Sequence, residues 1–91
     1  MNTHDFKPGD IVQHFKREMI EGEKGTQFLY EIICVASHTE NTEVLVIYKS
    51  LYGMHQIYAR PLNMFMSKVD KKKYPNIKQN YRFEMYCEKE I

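Results

Sequence analysis

The sequence Phe28-Leu29-Tyr30-Glu31-Ile32-Ile33-Cys34-Val35-Ala36-Ser37-His38 is followed by the polar Glu40-Asn41-Thr42 and then by Val44-Leu45-Val46-Ile47-Tyr48. Apolar residues recur at alternate positions of the first segment and also fill most positions between them. The two-residue period is typical of a β-strand, and apolar residues on both faces indicate a long, bent and largely buried one. The short polar connection and the β-branched run after it predict a hairpin of two antiparallel strands.

Segments on both sides of this hairpin extend it into a small sheet. A Pro-Gly turn precedes residues 11–16, which predict a first strand, and residues 53–55 break the chain before alternation resumes over residues 56–60. Near the C-terminus, residues 81–85 alternate between large apolar and charged side chains. We expect this last strand to be half-buried and to pair with the first.

One short helix is predicted between the last two strands. Pro61 suits the first turn of a helix, and Leu62, Phe65, Met66 and Val69 follow it at helical spacing. The charged residues 70–73 are expected to end this helix.

These elements predict a mainly β fold with residues 1–91 in a single domain. The architecture expected is a small, strongly bent antiparallel sheet, or SH3-like barrel, with the one short helix before the last strand. Residues 17–27 carry charges of both signs, two glycines and few apolar side chains, which predicts an exposed loop.

Composition and charge exclude several classes of protein. Apolar residues make up 43% of the 91 residues, which suits a small globular domain and argues against disorder. The net charge of +1 provides little long-range attraction to nucleic acid or anionic lipid. Cys34 and Cys87 are predicted to be buried, reduced thiols of a cytoplasmic protein. No apolar run reaches the roughly 20 residues of a membrane span, and residues 1–7 lack the apolar core of a signal peptide, so neither membrane insertion nor secretion is expected.

Four motifs carry a resemblance to a known family: His14-Phe15-Lys16-Arg17-Glu18, His38-Thr39-Glu40, Leu51-Tyr52-Gly53 and Tyr58-Ala59-Arg60-Pro61-Leu62-Asn63-Met64-Phe65. With them the chain resembles, over nearly its whole length, the small bacterial proteins catalogued as domain of unknown function 1653. Residues 73–84 are similar to longer members from low-GC Gram-positive bacteria and their phages. The resemblance implies an SH3-type barrel without an established activity, so it carries over no catalytic residue.

The motif residues also define a candidate binding site. Imidazole, phenol and guanidinium groups are expected to meet at strand ends, contributed by His14, Tyr30, His38, Tyr48, Tyr52 and Arg60. Arginine can clamp an anion and tyrosines can stack on a planar group, so the leading hypothesis is a non-enzymatic module. Its ligand would be a small anionic, nucleotide-like molecule or a protein segment, and a homodimer is a secondary expectation. The alternative is that the histidines cap turns and that Arg60 bonds backbone carbonyls.

A second hypothesis is a nucleic-acid interface near the C-terminus. Lysines with interleaved tyrosines form a local basic patch, which consists of Lys68, Lys71, Lys72, Lys73, Tyr74, Lys78 and Tyr81. Lysines can neutralise phosphates while a tyrosine stacks on a base. The alternative is the solvated C-terminus of a helix, where the helix dipole favours cations.

Metal binding and catalysis have little support in the sequence. No C-x-x-C or H-x-x-x-H spacing is present, so we predict neither a metal nor a cofactor. Cys34 near His38 is the one pairing of a nucleophile with a base, and Cys34 is expected to be an inert core thiol. The sequence therefore favours a protein that is not an enzyme.

Overall fold

Five antiparallel strands and one short helix form the regular structure of this protein, described by a computed structural model over residues 6–87. The elements are β1 (Ile11–His14), a 3-10 helix (Phe15–Met19), β2 (Leu29–Ser37), β3 (Val44–Ser50), β4 (Ile57–Pro61), α1 (Leu62–Phe65) and β5 (Phe83–Met85). The predicted mainly β fold, with one short helix before the last strand, is confirmed. Within residues 6–87, no helix is both long and apolar enough to cross a membrane.

The strands form one open sheet in the order β4-β3-β2-β1-β5. As predicted, the last strand pairs with the first, with Val12 opposite Met85. The sheet is strongly bent, so that its two edge strands approach each other. The guanidinium carbon of Arg60 in β4 lies 5.9 Å from the ring centroid of Phe83 in β5. Pro61 is tolerated in β4 because an edge strand does not need every backbone N–H for pairing.

A β-bulge in β2 decides which face each residue of the hairpin occupies. Ile32 pairs with Tyr48, but Cys34 pairs with Ile47, so β2 contains one extra residue at this point. The extra residue reverses the alternation, and Val35 instead of Cys34 stands opposite the buried Val46. Cys34 is exposed, as is Cys87, so the prediction of two buried thiols is wrong.

The core consists of two clusters of unequal size. The larger lies against the concave side of the sheet and contains Val12, Tyr30, Ile32, Val46, Tyr48, Phe65 and Phe83. Phe65 of α1 stacks on Phe83 with ring centroids 4.1 Å apart, so the helix covers the sheet through this aromatic pair. The smaller cluster lies outside the sheet and contains Phe15, Val69 and Ile77, with Tyr74 packed against them.

The helix is shorter than its spacing predicts. It ends at Phe65, and the backbone beyond it pairs with the C-terminal segment: Val69 N–H donates to Asn80 C=O (2.8 Å), and Lys68 forms an isolated bridge with Tyr81. Val69 is buried because it belongs to the smaller cluster, not because it continues a helical stripe. The prediction that residues 70–73 end a helix is therefore wrong.

Side chains hold the irregular segments in place. The Glu18 carboxylate accepts the backbone N–H groups of Lys78 (2.8 Å) and Gln79 (2.7 Å). The buried Gln79 amide accepts from Gln13 Nε2 (2.8 Å) and donates to carbonyls on both β1 and the C-terminal segment. In the segment predicted as an exposed loop, the Arg17 guanidinium donates to two loop carbonyls, and seven of residues 17–27 are exposed.

Candidate ligand-binding groove

A cavity of about 250 Å³ opens on the concave side of the sheet. We call it the aromatic pocket; its lining is His14, Lys16, Phe28, Tyr30, Tyr48, Tyr58, Arg60 and Phe83. Four of the six residues predicted for the binding site lie together here: His14, Tyr30, Tyr48 and Arg60. They come from β1, β2, β3 and β4, so the bend of the sheet is what joins them.

Arg60 is held at the wall of the aromatic pocket by two contacts. Its Nε donates a hydrogen bond to the Tyr48 hydroxyl (3.1 Å), and its guanidinium lies over the Phe83 ring. The alternative in which Arg60 bonds backbone carbonyls is not what the structure shows. Because Nε is the nitrogen used, the terminal nitrogens of the fork are available to an anion.

Tyr30 and Tyr52 form a hydroxyl pair behind this pocket. Their oxygens are 2.7 Å apart, and the rings meet edge to face at 5.7 Å. Burial and then the hydrogen bond with Tyr52 raise the pKa of Tyr30, so its phenol stays neutral at physiological pH. Tyr52 does not line the aromatic pocket, but it contacts two residues that do: its hydroxyl pairs with that of Tyr30, and its ring centroid lies 5.7 Å from that of Phe28.

His14 is packed among aromatic rings at the end of β1. Its ring stacks on Phe15 (4.5 Å) and meets Phe83 edge on (5.1 Å). Its Nδ1 accepts the Lys16 N–H (3.1 Å), which caps the 3-10 helix and leaves Nε2 as the protonated nitrogen of the neutral ring. Burial, followed by the charges of Arg82, Lys16 and Arg60, lowers the pKa of His14 to about 4, so His14 is neutral at pH 7.

His38 is the one predicted site residue in a separate part of the fold. It lies in the turn between β2 and β3, where its Nδ1 accepts the Glu40 N–H (3.0 Å). It does not line the aromatic pocket. The alternative that the histidines cap turns therefore accounts for His38. For His14 it accounts for the hydrogen bond of Nδ1, but not for the position of the ring in the lining of the aromatic pocket.

Phe28 enters the aromatic pocket from an unusual backbone conformation. Its φ is +63°, in the left-handed region that bulky side chains rarely adopt. It is the residue immediately before β2, and its carbonyl accepts the His14 N–H (3.0 Å). Packing and this hydrogen bond hold the ring beside His14, at 5.8 Å.

A second cavity, of about 500 Å³, adjoins the aromatic pocket. We call it the basic groove; its lining is His14, Phe15, Lys16, Arg60, Lys68, Val69, Asp70, Lys73, Tyr74 and Arg82. In the part of the chain that the structure describes, five cationic side chains face it, against the single carboxylate of Asp70. That carboxylate already accepts the backbone N–H groups of Lys72 and Lys73. Within residues 6–87, none of the five cations forms a salt bridge, so the groove carries a net positive charge.

The structure divides the basic patch proposed from the sequence. Lys68, Lys73 and Tyr74 line the basic groove, whereas Lys71, Lys72 and Lys78 do not. Lys71 Nζ instead donates to the carbonyl of Ile77, which ties a turn together. The patch is therefore not one continuous surface, and three of its five lysines do not line the groove.

Sequence reasoning missed eight lining residues of the two cavities, which are Phe15, Lys16, Phe28, Tyr58, Val69, Asp70, Arg82 and Phe83. Lys16 and Tyr58 stand within the motifs that carry the family resemblance, so those motifs contained a signal for them. Arg82 was assigned to the outer face of a strand by alternation, but it lies just before β5, where its Nε donates to Ser67 (3.0 Å). Periodicity offered no signal for it.

The chemistry of the two cavities is set by the side chains that line them. Their side chains offer cationic and neutral donors together with aromatic faces. Among residues 6–87, no group of three or more His, Cys, Asp or Glu side chains is arranged to hold a metal ion. The exposed Cys34 lies on β2, away from both cavities.

Comparison with known proteins gives a family and no activity. Neither the curated proteins nor the solved structures compared with this chain contain a match. The family described as "Protein of unknown function (DUF1653)" matches residues 10–85, a range that includes every strand and every residue lining the two cavities. The chain therefore belongs to the DUF1653 family.

Proposed function

We propose that this protein is a non-enzymatic binding module that recognises a small anionic, nucleotide-like ligand. The observation that carries the proposal is the basic groove: five cations face one cavity without a salt-bridge partner among residues 6–87. Like charges held close together disfavour the folded state, and a bound anion removes that repulsion. The adjoining aromatic pocket supplies faces on which a planar group can stack.

Arg60 is the central residue of this proposal. It lines both cavities, and its position is fixed by the Tyr48 hydroxyl and the Phe83 ring. A pre-positioned guanidinium loses little side-chain freedom when it binds an anion, and its fork suits phosphate or carboxylate oxygens.

His14 contributes a neutral donor beside this charge. Its Nδ1 is occupied by the Lys16 N–H, so its Nε2–H is the group that can bond to a ligand oxygen. Burial first, and then the nearby positive charges, lower the pKa of His14 to about 4. Binding at pH 7 therefore does not require a charged imidazole.

The proposal is tested by calorimetric titration of the full chain with ADP and with inorganic pyrophosphate at low ionic strength. We expect binding that weakens about tenfold or more in Arg60→Gln and Lys73→Gln, since each removes a charge-assisted contact. Lys72→Gln is the matched control, because Lys72 adjoins Lys73 in sequence but does not line the groove. Absence of binding by both compounds at millimolar concentration would overturn the proposal.

Single-stranded nucleic acid is a second candidate ligand. The specific observation in its favour is that Lys68, Lys73 and Tyr74, all from the basic patch, line the same groove as Arg60. In this case affinity should rise with oligonucleotide length and fall steeply with added salt. An affinity for short oligothymidylates no greater than that for ADP would exclude it.

We further propose that the protein acts in the cytoplasm. Cys34 and Cys87 are both free and exposed, which is typical of proteins kept in a reducing compartment.

A further inference from the structure

We propose that the two cavities form one bipartite site for a nucleoside polyphosphate, with the base in the aromatic pocket and the phosphates in the basic groove. This inference rests on the proposed function and names the ligand class and its orientation. The two cavities share three residues, His14, Lys16 and Arg60, which form the boundary between them. One molecule can therefore contact both cavities across a short linker.

The sizes of the cavities favour joint occupation. The aromatic pocket, about 250 Å³, is below the range of roughly 300–1,000 Å³ that is usual for small-molecule sites. The basic groove, about 500 Å³, lies within that range. A ligand that filled only the aromatic pocket would be unusually small. A ligand that also extends into the basic groove would have the size of an ordinary small-molecule ligand.

The two cavities differ in the chemistry they offer. Five of the eight residues lining the aromatic pocket are aromatic, and Tyr58 is the accessible one, with 41% of its surface exposed. Its ring lies 5.6 Å from that of Tyr48 at a 36° tilt, so it forms a rim on which a base can stack. Lys68, Lys73 and Arg82 line only the basic groove. The planar part of a ligand would thus bind in the aromatic pocket and its charged part in the basic groove.

The boundary residues suit the ribose and the first phosphate. Arg60 and Lys16 are cationic, and His14 offers a neutral Nε2–H donor. Among the described residues 6–87, no carboxylate lines the aromatic pocket, and the one in the basic groove, Asp70, is engaged by backbone N–H groups. None of the described residues at the boundary therefore carries a negative charge that would repel an anion.

The test compares a whole ligand with its two parts. ADP, adenosine and inorganic pyrophosphate are titrated separately into the full chain, with binding followed by calorimetry and by chemical shifts of the aromatic residues. Because linking two weak binders makes the second contact intramolecular, we expect ADP to bind about 100-fold more tightly than either part. Tyr58→Ala should remove about tenfold of the ADP affinity while leaving pyrophosphate binding unchanged.

A matched pair of variants controls for the fold. Ile57→Ala changes the neighbouring residue of β4, which is 63% exposed and lines neither cavity, so it should leave ADP binding unchanged. Arg82→Gln should weaken ADP and pyrophosphate by the same factor and should not affect adenosine. If pyrophosphate binds as tightly as ADP, or Tyr58→Ala has no effect on ADP, the bipartite site is refuted while anion recognition stands. If no anion binds, the proposed function itself fails.

Discussion

Two regions of this small protein are built on different principles. The sheet region, comprising β1 to β5 and α1, is held by antiparallel backbone ladders over the larger aromatic cluster. The irregular region, residues 15–27 and 66–82, has a core of only three buried residues and relies on side chains that bond backbone groups. Glu18 and Gln79 provide several of those bonds. Regular pairing thus gives way to individual polar contacts within one domain.

The candidate site lies where the two regions meet. His14 ends β1 in the sheet region, and Phe15, the next residue, is buried in the smaller cluster. The aromatic pocket belongs almost wholly to the sheet region, whereas Lys68, Lys73 and Arg82 bring the irregular region to the basic groove. The comparison therefore predicts that global stability depends on one region and the charge of the groove on the other.

The largest effect is expected from the sheet region. Phe65→Ala removes a fully buried ring that stacks on Phe83, which should lower the free energy of unfolding by about 3–5 kcal/mol. Met64→Ala, one residue earlier and 48% exposed, should change it by less than about 0.5 kcal/mol. Urea denaturation followed by circular dichroism measures both. Equal losses in the two variants would show that the ring stack is not the centre of the core.

The next effect concerns the boundary between the regions and depends on pH. Because the folded state lowers the pKa of His14 to about 4, the unfolded chain binds more protons, so stability is retained above pH 6.5 and is lost as pH falls towards 4. The loss from this group amounts to at most about 3 kcal/mol. The free energy of unfolding of His14→Asn should fall correspondingly less between pH 7 and pH 4, as measured by urea denaturation at each pH. Parallel pH profiles for the two proteins would contradict this assignment.

A smaller and local effect is expected in the irregular region. Glu18→Ala removes the acceptor for two backbone N–H groups, which should cost about 1–2 kcal/mol because water partly replaces it. Hydrogen exchange should accelerate at Lys78 and Gln79 and stay unchanged in β3. Glu21→Ala is the control, since Glu21 is exposed and its carboxylate has no hydrogen bond within residues 6–87. Acceleration spread evenly over the sheet would show that the two regions unfold as one.

The smallest effect is expected on the outer face of the sheet. Cys34→Ser should change the free energy of unfolding by less than about 0.5 kcal/mol, because the bulge directs this side chain to solvent. In the native protein its thiol should react with a maleimide without denaturant. If the Cys34 thiol reacted only after unfolding, Cys34 would lie in the core, and the bulge in β2 would be contradicted.

The sheet region could be predicted largely from the sequence, because alternation reports directly on which residues face a core. The pairing of the first and last strands and the helix before β5 were predicted correctly. The bulge at Ile32 and Cys34 was not, since both residues suit either face and only the register with β3 selects one. The end of α1 was missed because Val69 has helical spacing but is buried by contacts distant in sequence.

The candidate site was predictable only in part, for the same reason. Polar and aromatic residues at strand ends pointed to His14, Tyr48 and Arg60, which the bend of the sheet brings to one pocket. Arg82 and His38 have no local signal that separates a groove residue from a turn residue. The position of Arg82 depends on how the irregular region packs, and that of His38 depends on the turn between β2 and β3, and periodicity encodes neither.

The left-handed backbone of Phe28 means that replacing this residue has two opposing effects on stability. Glycine at this position would relax a left-handed conformation that costs a bulky residue of the order of 1 kcal/mol or more, while deleting a ring that contacts His14. The two effects on folding have opposite signs, so Phe28→Gly can melt near the parent temperature even though it has lost one wall of the cavity. For this residue thermal stability and occupancy of the cavity are separate readouts, and a screen that scores melting temperature alone would pass over it.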